Sequence, residues 1–198
     1  MTIFPRDEKG NVFVVSAPSG TGKTTLVNAL LLQFPKELTR SVSCTTRPCR
    51  EGEIEGVDYK FISENEFETH CKNGDFLEFA SIYEYKYGTL NESIAQMQKS
   101  GQHVFLVIDV QGAKEIRGKL EATFIFICPP SMQELERRIK GRKQDSPEMI
   151  DKRLRRAEEE MKERYHYDYI LINDNEQTAI EVLKSIVVAQ SYKNKAKL

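Results

Sequence analysis

No stretch of the sequence approaches the ~18 consecutive apolar residues that a membrane span needs. The first eight residues, Met1-Thr2-Ile3-Phe4-Pro5-Arg6-Asp7-Glu8, hold no apolar signal-peptide core, so the expectation is a cytoplasmic protein with no membrane partner. An excess of one charge is also missing: 29 Lys and Arg stand against 30 Asp and Glu, a net charge of -1. That balance excludes a bulk nucleic-acid or polyanion binder, although local basic clusters can still hold phosphate. Cysteine is sparse. Cys44, Cys49, Cys71 and Cys128 form no C-x-x-C pair and have no histidine at ligand spacing, which excludes a zinc site or redox couple and leaves free thiols, with Cys128 buried at the end of an apolar run. There is no internal repeat and no low-complexity segment beyond a basic tail over 193–197. What remains is a chain of 198 residues, 39% hydrophobic and 30% charged, enough for one substantial core with appended subdomains.

Short runs rich in Val, Ile and Phe recur at 12–15, 104–108, 124–128 and 169–172, none cleanly alternating, as expected of strands buried on both faces of a parallel sheet. Helical patterns fall between them. Leu26, Leu30 and Phe34 make an i, i+4, i+8 stripe over 24–34, and 178–188 is apolar on one side. Alternating strands and helices predict an α/β fold with a central parallel sheet flanked by helices.

Two insertions interrupt this plan. The first, about 39–90, holds strand-like pieces at 41–45, 57–62 and 76–79, and a helix opened by the capping box Ser63-Glu64-Asn65-Glu66 and stopped before Gly74. The second, about 131–165, opens with the box Ser131-Met132-Gln133-Glu134 and carries 11 basic and 9 acidic residues in 35. Its only apolar stripes, Leu135/Ile139 and Ile150/Leu154/Ala157/Met161, predict two lightly docked helices, as in a movable lid. The core is then about 10–38, 91–130 and 166–198.

The strongest local signal is Ser16-Ala17-Pro18-Ser19-Gly20-Thr21-Gly22-Lys23-Thr24-Thr25, between a predicted strand and a predicted helix, where a Walker A loop belongs. Gly20 and Gly22 let successive amide N–H groups turn into one concavity, and the helix N-terminus adds its positive end. Lys23 would reach the β- and γ-phosphates of a nucleotide, and the Thr24 hydroxyl would ligate Mg²⁺. Ala17 replaces the glycine of the strict pattern. Asp109, after the apolar run 104–108, should stand at the carboxyl edge of the sheet and share the metal. A GTPase is disfavoured: the only Asn-Lys pair, Asn194-Lys195, has Lys197 where N-K-x-D needs Asp. Two insertions suit a nucleoside monophosphate kinase, with one subdomain for the acceptor and one that closes over the donor.

The segment Ser41-Val42-Ser43-Cys44-Thr45-Thr46-Arg47-Pro48-Cys49-Arg50, then Gly56-Val57-Asp58-Tyr59, Gly74-Asp75-Phe76-Leu77-Glu78 and Tyr87-Gly88-Thr89, closely resembles the GMP-binding region of the guanylate kinase family. The match continues in order through Ile108-Asp109-Val110-Gln111-Gly112, Gly141-Arg142, Lys152-Arg153-Leu154 and Asn173-Asp174. The resemblance implies a P-loop sheet with an inserted mixed α+β GMP-binding subdomain and a helical lid. It also implies Mg²⁺-dependent transfer of the ATP γ-phosphoryl group to GMP or dGMP.

By that resemblance Arg47, Arg50, Tyr59 and Tyr87 hold the GMP phosphate, a role that guanidinium forks and phenols suit. Glu78 accepts from guanine N1–H and the 2-amino group, with Ser43, Thr89 and Asp109 also at the base. Ala17 through Thr25 and Asn173 bind ATP, and Arg138, Arg142 and Arg153 act with Lys23 on the transferring phosphoryl. Two local readings compete: Thr89-Leu90-Asn91-Glu92 is itself a capping box, and Ser43 could be an ordinary strand hydroxyl. Arg137, Arg155 and Arg156 are expected on outward faces. His70, His103 and His166 match no motif and are expected to be surface or structural. The family's usual D-x-D-x-Q-G run has Val107 in place of its first Asp. A catalytically silent guanylate-kinase-like interaction module is the alternative reading.

Overall fold

The computed structural model describes residues 3–4, 9–141 and 146–193. Arg142 and the basic tail beyond Lys193 lie outside them. The chain runs β1 (Val12–Ser16), α1 (Lys23–Gln33), β2 (Leu38–Arg40), β3 (Cys44–Thr45), β4 (Lys60–Phe61), α2 (Glu64–Asn73), β5 (Phe76–Ile82), β6 (Tyr85–Leu90) and α3 (Asn91–Lys99). It continues through β7 (His103–Val107), α4 (Val110–Ile116), β8 (Thr123–Cys128), α5 (Met132–Gly141), α6 (Pro147–Lys162), a 3-10 turn (Glu163–His166), β9 (Tyr169–Ile172) and α7 (Glu176–Ser191).

The central sheet is all parallel in the order β2-β7-β1-β8-β9, the expected α/β plan. Side chains alternate across β1. Phe13 and Val15 pack with Leu26, Leu30 and Leu183 of α1 and α7, whereas Val12 and Val14 pack with Ile94, Ala113 and Ile116 of α3 and α4. Both faces of the inner strands are therefore dry, which is why they show no apolar–polar alternation; the expectation fails for 169–172, since β9 is the edge strand and leaves Ile170 and Ile172 exposed. A second sheet, β4-β3-β6-β5, forms the insertion. Thr39 and Arg40 belong to β2 and pair in the first sheet, and within 57–62 only Lys60 and Phe61 are strand. The long strand β6 was not apparent from the sequence.

The caps came out differently from one another. Ser63 Oγ accepts from the Glu66 N–H at 3.2 Å, and Ser131 Oγ from the Glu134 N–H at 3.1 Å. The Glu134 carboxylate instead takes Arg137 and Arg138, which hold its pKa down to about 2. Thr89 does not cap α3, which starts after Leu90, because its hydroxyl is turned to a carboxylate across the hairpin. The two expected apolar stripes of the second insertion meet in one small cluster. Leu135 and Ile139 are fully buried with Ala157 in a third apolar cluster, and their side chains reach 3.3 and 3.1 Å from where a Cβ on Gly20 would stand. Close packing at this one point seats α5 against the phosphate loop.

Candidate active site

At the carboxyl ends of β1 and β7 the two sheets face each other across a cleft of about 510 Å³. One wall is the phosphate loop. Gly20 and Gly22 both sit at φ +93°, a conformation costly for residues with a side chain. Gly22 is the N-cap of α1 and supplies no side-chain acceptor, so the first N–H groups of that helix are open to an anion. Thr21 folds its hydroxyl back onto the Pro18 carbonyl at 2.7 Å, and Thr24 and Thr25 are exposed on the first turn. The Lys23 ammonium donates to the Ile108 carbonyl at 3.1 Å. Burial lowers its pKa, against the opposing pull of Asp109 and Glu160.

Asn173 supports this loop from behind. Its side-chain amide donates to the Thr21 carbonyl at 2.7 Å, and a Cβ on Gly22 would lie 2.6 Å from that nitrogen. Arg138 donates to the Asn173 carbonyl at 3.1 Å and to Glu134 at 2.8 Å, so it braces the same region. Ala17, Pro18 and Ser19 line the cleft with the rest of the loop, and Arg153 joins them from α6.

The opposite wall is built on the β5–β6 hairpin. The register slips between Phe76 and Glu78, a bulge that lets Phe76 pack on Phe67 and turns Glu78 inward opposite Thr89. Glu78 is 3% exposed. Thr89 Oγ1 donates to Glu78 Oε1 at 2.6 Å and lies 3.1 Å from Ser43 Oγ, forming one chain of hydroxyls and carboxylate. Burial, only partly offset by the Thr89 hydrogen bond, pushes the Glu78 pKa up to about 7. Behind it, a Cβ on Gly112 would stand 2.2 Å from Glu78 Oε2, so only glycine leaves room for the carboxylate. Ser43 stands just before β3 with its hydroxyl in the chain that ends on Glu78, and the close approach of that carboxylate gives Gly112 a physical reason.

Arg47, Arg50, Tyr59 and Tyr87 gather at the far end of this wall. Arg47 is 5% exposed and already makes four hydrogen bonds, two to Glu53 at 2.8 Å and one each to Pro48 O and Tyr87 Oη. With five donors in the guanidinium, one N–H is left. The Arg50 side chain is exposed, and its backbone N–H donates to Glu53.

Asp109 stands between the walls as the N-cap of α4. Oδ1 accepts the Gly112 N–H and Oδ2 accepts Arg156, both at 2.8 Å. The expectation for Arg156 is corrected here: it points into the cleft, bound to Asp109 and to Glu160 at 2.7 Å, under the ring of Tyr83. Its face of α6 was misassigned because Asp109 is remote in sequence and gives no local signal. Arg137 does pair with its neighbour Glu134, and Arg155 is exposed. His103 is buried between the Asn11 N–H and Ser191, and His70 pairs with Asp75. Val107, where the family carries Asp, packs against the Phe13 cluster and borders the cleft.

The model of the family described as guanylate kinase matches residues 9–190. The guanylate kinase of Protochlamydia amoebophila is 48% identical over 198 residues, the whole of both chains, and that of Haemophilus ducreyi 46% identical over 94% of this chain and 92% of its own. A crystal structure of guanylate kinase from Anaplasma phagocytophilum superposes with a TM-score of 0.78 at 31% identity, covering 98% of this chain and 91% of that one. The SH3-kinase fragment of tight junction protein 3 is similar in fold alone, at 10% identity and a TM-score of 0.53, over 96% of this chain and 61% of that one. A phosphate loop facing a buried carboxylate, in a chain matched along nearly its whole length, leads to one conclusion: this protein belongs to the guanylate kinase family.

Proposed function

We propose that the protein transfers the γ-phosphoryl group of ATP to GMP or dGMP, reversibly, within cytoplasmic purine nucleotide metabolism. The observation that carries this reading is Glu78, buried with Thr89 and joined through it to the half-buried Ser43 on the wall opposite the phosphate loop. Guanine offers two adjacent donors, N1–H and the 2-amino group, to one carboxylate. Adenine would turn a bare N1 lone pair toward it and leave a buried charge unpaired, a mismatch that discriminates strongly.

Lys23 and the open amides of α1 take the donor phosphates, while Arg50 and the remaining Arg47 donor take the GMP phosphate. The attacking atom is an oxygen of that phosphate, largely ionised at pH 7 with a second pKa of about 6, so no general base is required. The two histidines whose partners are described above are occupied elsewhere. Catalysis is alignment of two mutually repelling anions and neutralisation of the charge that moves between them. Arg138, Arg142 and Arg153 are assigned to that neutralisation, Arg138 by release from Glu134 as the helices close.

The exposed Thr24 hydroxyl and the Asp109 carboxylate are hard oxygen donors, a set that fits Mg²⁺ when phosphates and water complete the octahedron. Among the described residues no three His, Cys, Asp or Glu converge into a cage of their own. When bound, Mg²⁺ supplies further charge neutralisation on the phosphate oxygens. The silent-module alternative is not favoured, since the full-length relatives above carry the name of the enzyme. Among the described residues no helix is long and apolar enough to cross a membrane.

A coupled assay with MgATP and GMP, dGMP, AMP, CMP or UMP tests the proposal. Turnover confined to the guanine nucleotides is expected. Folded protein that turns over none of them contradicts it.

A further inference from the structure

Arg156 joins three parts of the molecule at one guanidinium. Nη2 reaches Asp109 Oδ2 at the end of the core strand β7, Nε reaches Glu160 on its own helix, and Cζ lies 5.5 Å from the centroid of Tyr83 at the tip of the β5–β6 hairpin. The two carboxylates are largely withdrawn from water, with side-chain exposures of 10% and 12%. Tyr83 itself has φ +57°, the only non-glycine residue in the left-handed region among those described. Such a conformation is costly for a residue with a side chain, and here it sets an aromatic ring over a cation.

These contacts fix the guanidinium without exhausting it. Of its five N–H groups, Nε and one on Nη2 are used, leaving three, including both on Nη1, with no protein acceptor among the described residues. Arg156 lines the cleft, as does Arg153 three residues earlier on the same helix face. Its charge is close enough to Lys23 to act on that ammonium. A fork aligned by two carboxylates, roofed by a ring and left with an open edge beside the phosphate loop is arranged to receive phosphate oxygens.

We infer that Arg156 is a further catalytic residue, presenting its Nη1 edge to the phosphates of the reacting pair while Asp109 and Glu160 hold its plane. This rests on the phosphoryl-transfer reading above. Arg156→Met, Arg156→Lys and the double variant Arg156→Met/Glu160→Gln test it through GMP turnover and through calorimetric titration with ADP and, separately, GMP in EDTA. Arg156→Met should lower kcat by about 10²-fold or more and weaken at least one of the two metal-free nucleotides about tenfold. Arg156→Lys, which keeps the charge but not the fork, should lose roughly tenfold in kcat and serves if the Met variant does not fold. The double variant removes the excess negative charge left by the first substitution and should stay impaired.

Recovery of the double variant to near wild-type rate would mean that Arg156 only neutralises Glu160, and would overturn the proposal. So would a wild-type kcat in Arg156→Met or in Arg156→Lys. If the wild-type protein itself fails to turn over GMP, the activity reading falls, and the two metal-free titrations alone decide the case of Arg156.

Discussion

The base end and the phosphate end of the cleft are built on opposite principles. At the base end Glu78 and Thr89 are buried and hydrogen-bonded in one chain with the half-buried Ser43, and Gly112 leaves room for the carboxylate. At the phosphate ends three arginines are held by carboxylates: Arg47 by Glu53, Arg138 by Glu134, Arg156 by Asp109 and Glu160. The first region can read a purine without moving. The second brings phosphates to guanidinium groups that carboxylates hold in place, so selectivity is a property of a fixed acceptor and rate a property of cations aligned between two anions.

Substitutions should separate the two ends, the largest effect first. Lys23→Met removes the cation of the phosphate loop and should lower kcat by about 10³-fold or more, with the preference for guanine intact in the residual rate; steady-state assays with GMP and AMP check both. Arg50→Gln removes an exposed guanidinium from the acceptor phosphate and should raise the GMP KM by about 10- to 100-fold, with kcat and base choice little changed.

The pH response should belong to the base end. The pKa of Glu78 is raised to about 7 in the free enzyme, and guanine donors favour the ionised form, so GMP binding at neutral pH should release protons. Affinity should therefore be about tenfold lower at pH 6 than at pH 8, with a smaller part from the GMP phosphate itself; calorimetry in buffers of different ionisation enthalpy measures the proton release. A GMP affinity flat across that range would place the titration elsewhere. Smallest of all, Val107→Asp should lower the Mg²⁺ concentration needed for half-maximal rate by a few-fold, read from a metal titration at saturating nucleotides.

Much of this was legible in the sequence because it is local. The phosphate loop is one contiguous run, and the inner strands β1, β7 and β8 are buried on both faces, so their apolar runs stand out; the edge strand β9 is apolar although Ile170 and Ile172 are exposed, and β2, three residues long with Thr39 and Arg40, has no apolar run. Glu78, Ser43 and Thr89 came from resemblance, but their joining came from pairing across strands. The β5 bulge and the whole of β6 gave no period-2 signal, since Tyr85, Lys86, Tyr87 and Gly88 mix half-buried and buried positions. The local capping pattern at Thr89 lost to a long-range acceptor, because a buried carboxylate without a donor is the more costly defect. Arg156 was misread for the same reason: its partner Asp109 is 47 residues away. Asn173 was expected at ATP by resemblance; its side-chain bond to the Thr21 carbonyl at the back of the phosphate loop, 152 residues away, has no local signal.

The central claim is that one buried carboxylate chooses the base. Its most direct test is kcat/KM for GMP and for AMP in the wild-type protein and in Glu78→Gln. The account predicts that the substitution lowers the GMP value by about 10²- to 10³-fold while the AMP value stays level or rises, collapsing the ratio between them. A variant that keeps both the wild-type rate with GMP and the wild-type ratio would contradict it.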